Sequence, residues 1–272
     1  MSKVIGLVTT PIGNLEDIGK RAHEALVKAD LIIAEDTRVT RKLLDLLEIK
    51  GSDKTFYAFH EHNQQSVQEI LKACEEATSP VLVSDAGSPI LSDPGYPLIK
   101  AWTERGHDLL SYPGPSAVTM ALELSGLPPL PFEFQGFLPR KDEAIKKVIE
   151  AIEVGKSTIF FESPHRIEQT LDLISQIDPL LQCFVGRELT KKFEEHFRFK
   201  ASEWPKYKEN FKSKGEFVLV LFREGEKAGP VSDLLPLAEK YLQKPSTKGM
   251  AKLLSAITGE KTSVIYDKIS RK

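Results

Sequence analysis

The chain has 272 residues, of which 41% are hydrophobic and 28% charged, and its 37 Lys and Arg against 39 Asp and Glu leave a formal charge of −2. At about 150 residues per domain this length implies roughly two domains with real cores, and the composition excludes a disordered or collagen-like chain. Apolar runs such as Val218–Phe222 fall far short of the roughly 20 residues that a bilayer span requires, so no membrane association is expected.

Met1-Ser2-Lys3-Val4-Ile5 has no apolar signal region and runs straight into a strand-like segment, which predicts a cytoplasmic protein. Cys74 and Cys183 lie 109 residues apart without Cys or His at metal spacing, so both read as buried apolar residues rather than a disulfide or zinc site. The charge is uneven: residues 1–227 carry 29 basic and 35 acidic groups, residues 228–272 carry 8 and 4. A tail at +4 fits contact with a phosphate backbone and equally a solvated helical face.

Over the first 112 residues, short apolar runs alternate with helix-period segments, the pattern of βα units building a parallel sheet. Strands are predicted at Val4–Thr9, Asp30–Ala34, Thr55–Phe59, Val81–Ser84 and Asp108–Tyr112. Asn14 is placed to cap a helix whose apolar positions are Leu15, Ile18, Ala22, Ala25, Leu26 and Ala29. Val67, Ile70, Leu71, Cys74 and Ala77 repeat that spacing before the fourth strand. Tyr112-Pro113-Gly114-Pro115 then breaks the pattern, and Ser116 is placed to cap a helix bearing Val118, Ala121, Leu122 and Leu124.

Beyond that break, strands are predicted at Phe132–Gly136, Thr158–Phe161, Gln182–Arg187, Phe193–Phe199 and Phe217–Phe222, some joined without a helix, which implies a mixed sheet. Gly225–Pro230 reads as a linker, followed by amphipathic helices at Ser232–Leu242, Ser246–Thr258 and Ser263–Ile269. The organisation expected is an α/β domain over residues 1–113 with a parallel sheet, a second α/β domain over 114–226 with a mixed sheet, and a small helical extension over 227–272.

In open parallel sheets ligands bind beyond the carboxyl ends of the strands. The loops there are Thr9-Thr10-Pro11-Ile12-Gly13-Asn14, Glu35-Asp36-Thr37-Arg38 and Ser84-Asp85-Ala86-Gly87-Ser88-Pro89, the last running on to Ser92-Asp93-Pro94-Gly95. No two of the 17 glycines are separated by a single residue, so no GxGxxG fingerprint exists, and the sequence has no Walker A loop either. The glycine-rich nucleotide loop of most adenosylmethionine-dependent methyltransferases is missing too. Whatever binds here is held by turns rich in Pro, Asp and Ser.

Eight blocks in order carry a resemblance: Thr10–Asn14, Glu35–Arg38, His60-Glu61-His62-Asn63, Ser84–Pro89, Pro113-Gly114-Pro115-Ser116-Ala117, Gly136-Phe137-Leu138-Pro139, Phe161-Glu162-Ser163-Pro164-His165-Arg166 and Gly186-Arg187-Glu188-Leu189-Thr190-Lys191. Together they resemble the ribosomal RNA small-subunit methyltransferase I family of the tetrapyrrole methylase superfamily, across residues 4 to about 222. Ser88 stands where that family more often has Thr, which keeps the hydroxyl. The resemblance implies a two-domain tetrapyrrole methylase-like fold, S-adenosyl-L-methionine in the cleft between the domains, a methyl group delivered to the 2′-hydroxyl of a cytidine in the decoding region of 16S ribosomal RNA, and a homodimer. It further implies that Pro11, Asp85, Ala86, Gly87, Ser88, Pro89, Ser116, Ala117 and Phe161 line the cofactor.

Methyl transfer needs donor and acceptor held collinear, and a ribose hydroxyl, a weak acid, gains from a general base. The polar candidates are Asp36, Glu162 and His165, with Asp36 and His165 the expected pair. Arg140, Lys141, Arg166, Lys191 and Lys192 are candidates for phosphate contacts, although each also fits a solvated surface. Asp36 and Arg38 also fit a structural ion pair, and Asp93-Pro94-Gly95 reads first as a turn and cap. His60 and His62 lack a third ligand nearby, so no metal is expected. In the tail, Met250, Leu253, Leu254 and Ile257, then Ile265, Tyr266 and Ile269, flank the Thr258–Thr262 turn. That layout fits an RNA-touching helix-turn-helix and also packing on the second domain or a dimer partner.

Two rival functions share these features. A superfamily relative methylating a tetrapyrrole precursor such as a precorrin would keep the same fold and cleft, because fold does not determine substrate; the Glu35–Arg38 and His60–Asn63 blocks favour RNA. A non-catalytic RNA-binding or ribosome-assembly factor would keep the cleft as a regulatory site.

Overall fold

Five apolar stretches of the first 112 residues become the strands β1 (Val4–Val8), β2 (Leu31–Ala34), β3 (Thr55–Ala58), β4 (Pro80–Val83) and β5 (Asp108–Tyr112), all parallel in the order β3-β2-β4-β1-β5. The structure is a computed structural model that describes residues 2–59, 67–225 and 246–270. The chain divides into two units, Met1–Arg223 and Glu224–Lys272. Every residue of β2 and β4 is buried, as central parallel strands covered on both faces must be.

Alternation along the strands decides which helix covers which face. Val8, Ile32, Ala34, Val81 and Val83 pack with Ala22, Ala25 and Leu26 of α1 (Lys20–Lys28) and Leu44 of α2 (Thr37–Leu46). Ile5, Leu31, Ile33 and Leu82 pack with Ile70, Leu71 and Cys74 of α3 (Val67–Glu76) and with Leu98, Ile99 and Trp102 of α4 (Tyr96–Glu104). The neighbours β1 and β4 therefore send their following helices to opposite faces, which opens a crevice at their carboxyl ends, the switch point at which such sheets bind ligands.

The second sheet, also within the first unit, has the order β6-β7-β10-β8-β9, from β6 (Phe132–Phe137), β7 (Ser157–Glu162), β8 (Gln182–Arg187), β9 (Glu195–Lys200) and β10 (Phe217–Phe222). β6 and β7 are parallel and the remaining pairs antiparallel, so the sheet is mixed as expected. Buried β10 is its spine. One face carries α6 (Asp142–Glu150), α7 (Ile167–Ile177) and Trp204, which opens the short α8 (Trp204–Lys208). The other face takes Val118, Ala121 and Leu122 of α5 (Ala117–Ser125) against Ile159, Phe184, Val218 and Val220.

Local differences from the sequence reading have physical causes. The Asn14 side chain accepts from Glu16 N at 3.1 Å and caps only a 3-10 turn, Leu15–Asp17. Ile18 and Gly19 are then extended, so α1 starts at Lys20. The strand expected from Phe193 begins at Glu195, because Glu188 and Thr190 adopt positive φ of 52° and 65° and turn the chain. Phe193 is left 65% exposed, its carbonyl taken by Arg187. Ser116 sits at the N-cap of α5 without a side-chain capping bond.

In the second unit, Ser246 caps α9 (Thr247–Thr258) by accepting from Gly249 N at 3.1 Å, and α10 (Thr262–Ser270) follows a short turn. Met250, Ala251, Leu254 and Ile265 form its buried core with Ile269 against them, while Leu253, Ile257 and Tyr266 are exposed. The His60–Asn63 block, the helix expected at Ser232–Leu242 and all of the expected linker but Gly225 lie outside the described residues.

Candidate functional site

The loops leaving β1 and β4 are pinned to each other before either meets a ligand. Thr10 N donates to Gly87 O at 3.0 Å and Gly87 N to Thr10 O at 3.2 Å. The Thr10 hydroxyl reaches Ser84 O at 3.2 Å, and the Ser84 hydroxyl reaches Gly87 O at 2.9 Å. Gly87 holds φ of +80° in this turn, a conformation that a side chain would strain.

These loops form one wall of a cavity of about 480 Å³, within the size range of small-molecule and cofactor sites. Ile12, Glu35, Asp85–Ser88 and Leu91–Asp93 line it from the first sheet. Opposite stand Ser116–Val118 at the start of α5, Phe137 at the end of β6, Phe161–Pro164 at the end of β7, Gly186, Leu189 and Glu216–Val218. Phe161 is braced edge-on by Phe134 and Phe137, with ring centroids 4.9 and 5.6 Å away.

Of the residues expected to line a cofactor, Asp85, Ala86, Gly87, Ser88, Ser116, Ala117 and Phe161 meet at this cavity, whereas Pro11 and Pro89 are not in its lining. The expected catalytic pair is not brought together there. Asp36 caps α2, accepting from Arg38 N at 2.8 Å and from the Arg38 guanidinium at 2.6–3.2 Å. The Arg38 hydrogen bonds and charge hold its carboxyl well below the usual carboxylate range. His165 is exposed and lines a separate polar hollow with Glu168, Gln169, Asp172 and Lys208. Glu162, the third candidate base, is buried and accepts from Thr170 Oγ1 at 2.8 Å and Ser163 N at 2.7 Å, with Arg166 at 3.4 Å.

The candidate phosphate contacts divide in the same way. Arg166 donates to the carbonyls of Leu138 and Pro139, and Lys191 bridges Glu188 at 2.9 Å and Glu216 at 3.0 Å. Arg140, Lys141 and Lys192 are exposed.

Ile12, Glu35, Leu91, Ser92, Asp93, Phe137 and Leu189 also line the cavity, and the sequence reading gave none of them a cofactor or catalytic role. Asp93 is the most consequential. Burial, then the charge and hydrogen bond of Glu35 and the charge of Asp85, push its carboxyl up to about 7, against the pull of a hydrogen bond with Ser84. The Ser-Asp-Pro-Gly stretch reads as a turn, and only its position opposite Glu35 gives it chemistry. Five carboxyl residues, Glu35, Asp85, Asp93, Glu162 and Glu216, contribute to the lining, and among the described residues no Lys, Arg or His does. A cavity with that charge suits a cation and disfavours a phosphate.

The model of the family described as Tetrapyrrole (Corrin/Porphyrin) Methylases matches residues 4–205, which is most of the chain. A protein of Vibrio cholerae named Ribosomal RNA small subunit methyltransferase I is 41% identical over 272 residues, covering 97% of this chain and 93% of its own. The chain belongs to the tetrapyrrole methylases, in their ribosomal RNA small subunit methyltransferase I branch. Solved structures share the fold of this family at low identity. Diphthine synthase superposes with a TM-score of 0.62 at 15% identity, over 81% of this chain and 90% of that one. Uroporphyrin-III C-methyl transferase from Thermus thermophilus, complexed with S-adenosyl homocysteine, gives 0.54 at 13%, over 81% and 97%. The two-sheet arrangement with a cleft beyond β1 and β4 is thus the family's scaffold, and the acidic lining is the part to be explained by what enters it.

Proposed function

We propose that this chain is an S-adenosylmethionine-dependent methyltransferase that acts on 16S ribosomal RNA, with the 2′-hydroxyl of a cytidine ribose in the decoding region as acceptor. The observation that carries this reading is the cleft itself, which combines aromatic and aliphatic walls with carboxyl residues and no cation in its described lining. When bound, S-adenosylmethionine supplies a methyl group on a positively charged sulfur. Phe161, Phe137, Val118 and Leu189 offer an apolar slot for a purine ring, while Asp85, Ser88 and Ser116 offer acceptors for hydroxyl and ammonium groups. The Thr10–Gly87 clamp holds the loop of Asp85 and Ser88 in place ahead of binding, so little ordering is left to be done there when the ligand arrives.

The two sheet-bearing lobes, residues 1–113 and 114–226, close over the donor, and the protein works in the cytoplasm as a homodimer. Exposed Arg140 and Lys141, beside the Phe137 wall, supply sequence-independent contacts to the RNA backbone. Arg166 and Lys191 act earlier in the chain of causes, holding the 138–139 turn and the 188–191 loop that shape the cleft. The strong likeness to relatives named for ribosomal RNA supports an RNA acceptor over a tetrapyrrole. The described helices are all too short and polar to cross a membrane.

The test uses donor carrying a labelled methyl, with three acceptors: small subunits from a strain lacking this methylation, naked 16S RNA, and a corrinoid precursor. The expected result is label on a cytidine 2′-oxygen of the RNA, located by nuclease mapping. Label on a macrocycle carbon, or donor binding without turnover on any acceptor, refutes the proposal.

A further inference from the structure

We propose that the Glu35–Asp93 carboxyl pair is the proton acceptor of the methyl transfer, taking the proton of the attacking hydroxyl. This rests on the function proposed above and names residues for a step it leaves open. Glu35 follows directly on β2, Asp93 lies in the loop before α4, and both face the cavity. Their carboxyl groups lie within hydrogen-bonding reach of each other. Two carboxyls in contact share a proton, because both cannot ionise freely at such a distance.

Among the described residues, the other acids and bases near the cleft have partners or positions that set them apart from this step. Asp36 is locked by Arg38 at 2.6 Å, and Glu162 by Thr170, Ser163 N and Arg166. Glu216 pairs with Lys191 at 3.0 Å, and Asp85 accepts from Asp36 N at 3.2 Å. His165 lies outside the cavity lining.

The step balances without any further reactant. The hydroxyl oxygen bonds the methyl carbon, the C–S electron pair stays on sulfur and neutralises the sulfonium, and the released proton passes to the carboxylate pair and later to water. Among the described residues, the groups facing Asp93 are Glu35, Asp85 and the Ser84 hydroxyl, with Glu162 and Glu216 elsewhere in the lining. Burial and these like charges place its titration near neutrality, at about 7, where a base serves best at physiological pH. Below that value Asp93 keeps its proton and the pair is a poorer acceptor; above it both carboxyls are ionised. The rate therefore rises with pH and levels off.

The experiment measures single-turnover methylation of undermethylated small subunits between about pH 5.5 and 9, at saturating donor, with S-adenosylhomocysteine affinity from calorimetry alongside. The wild type is expected to show an acid limb with its midpoint near 7. Asp93→Asn should lower the rate by about a hundredfold or more and abolish that limb, with the affinity for S-adenosylhomocysteine little changed. Glu35→Gln removes a like charge, so its surviving activity should show the limb about one pH unit or more toward acid. This second variant decides the matter if Asp93→Asn does not fold.

Wild-type-like rates and limb in Asp93→Asn, or an unmoved limb in Glu35→Gln, overturn the inference while the methyltransferase reading stands. Weakened S-adenosylhomocysteine binding with an intact rate also overturns it, and assigns the pair to holding the donor. A wild type that neither binds S-adenosylhomocysteine nor methylates RNA removes the functional reading and this inference with it.

Discussion

Gly95 offers a sharp test of how the acidic wall is built. It precedes α4 and sits two residues after Asp93. Its φ of −63° suits any residue, so replacement by alanine is opposed only by space. The added Cβ would run into the carbonyl oxygen of Pro89 and come within 3.0 Å of Leu82 Cδ2 and 3.2 Å of the Pro89 carbonyl carbon. A backbone carbonyl cannot rotate away as a side chain can, so the 89–95 loop must shift as a body and carry Leu91, Ser92 and Asp93 with it. Overpacking of this kind costs about 1–3 kcal/mol, and at roughly 2–4 °C per kcal/mol for a domain of this size Tm should fall by roughly 2–12 °C. The control is Gly51→Ala, whose Cβ meets Leu44 Cδ1 at 3.7 Å and Phe56 Cζ at 4.0 Å, ordinary contacts. That change should stay within about 0.5 kcal/mol of wild type. Thermal unfolding followed by circular dichroism, with calorimetric titration of S-adenosylhomocysteine, should show Gly95→Ala impaired in both and Gly51→Ala in neither. If Gly95→Ala matches wild type in Tm and affinity, the close approach of Pro89 to Gly95 is wrong, and with it the account of what positions Asp93.

Asp36→Asn should lower Tm, because the α2 cap and the Arg38 pair weaken together, yet keep single-turnover methylation within about threefold, far from the hundredfold or greater loss expected of a general base. A loss of that larger size would return Asp36 to the chemistry. Phe161→Ala strips the ring that Phe134 and Phe137 brace against the cavity. It should weaken S-adenosylhomocysteine binding by about tenfold, the upper end of what one aromatic contact contributes; unchanged affinity would show that the ligand lies elsewhere. Burial pushes the Cys74 thiol up to about 12 and the Cys183 thiol also upward, so neither forms thiolate at pH 8. Both should ignore a disulfide reagent in the native protein and react on unfolding; rapid labelling of the folded protein would contradict their burial.

Much of this molecule was legible before folding. The ten described strands come from short apolar or alternating segments, and only the start of β9 shifted noticeably, because positive φ at Glu188 and Thr190 is a backbone property that no side-chain pattern announces. Asn14 is a good cap in the right neighbourhood, yet it caps a 3-10 turn, since whether a helix continues past Asp17 depends on the extended path of Ile18 and Gly19. Cleft residues such as Asp85–Ser88 and Ser116 stand out in sequence because turns at strand ends have few solutions. Glu35 and Asp93 stand in such loops too, but their pairing does not show, because it is a relation between them across 58 positions of chain.

The order of residues alone determined the parallel first sheet and the mixed second one, since hydrophobic period and turn chemistry are local properties that each segment carries with it, and its eight motif blocks carried the resemblance to the family. Tertiary structure alone decided which charges meet. It tied Glu162 to Thr170, set His165 outside the cleft lining and put Asp93 against Glu35. The reason is physical: a carboxyl group's acidity depends on the water it has lost and the charges within a few ångströms, and both exist only once distant parts of the chain are packed together.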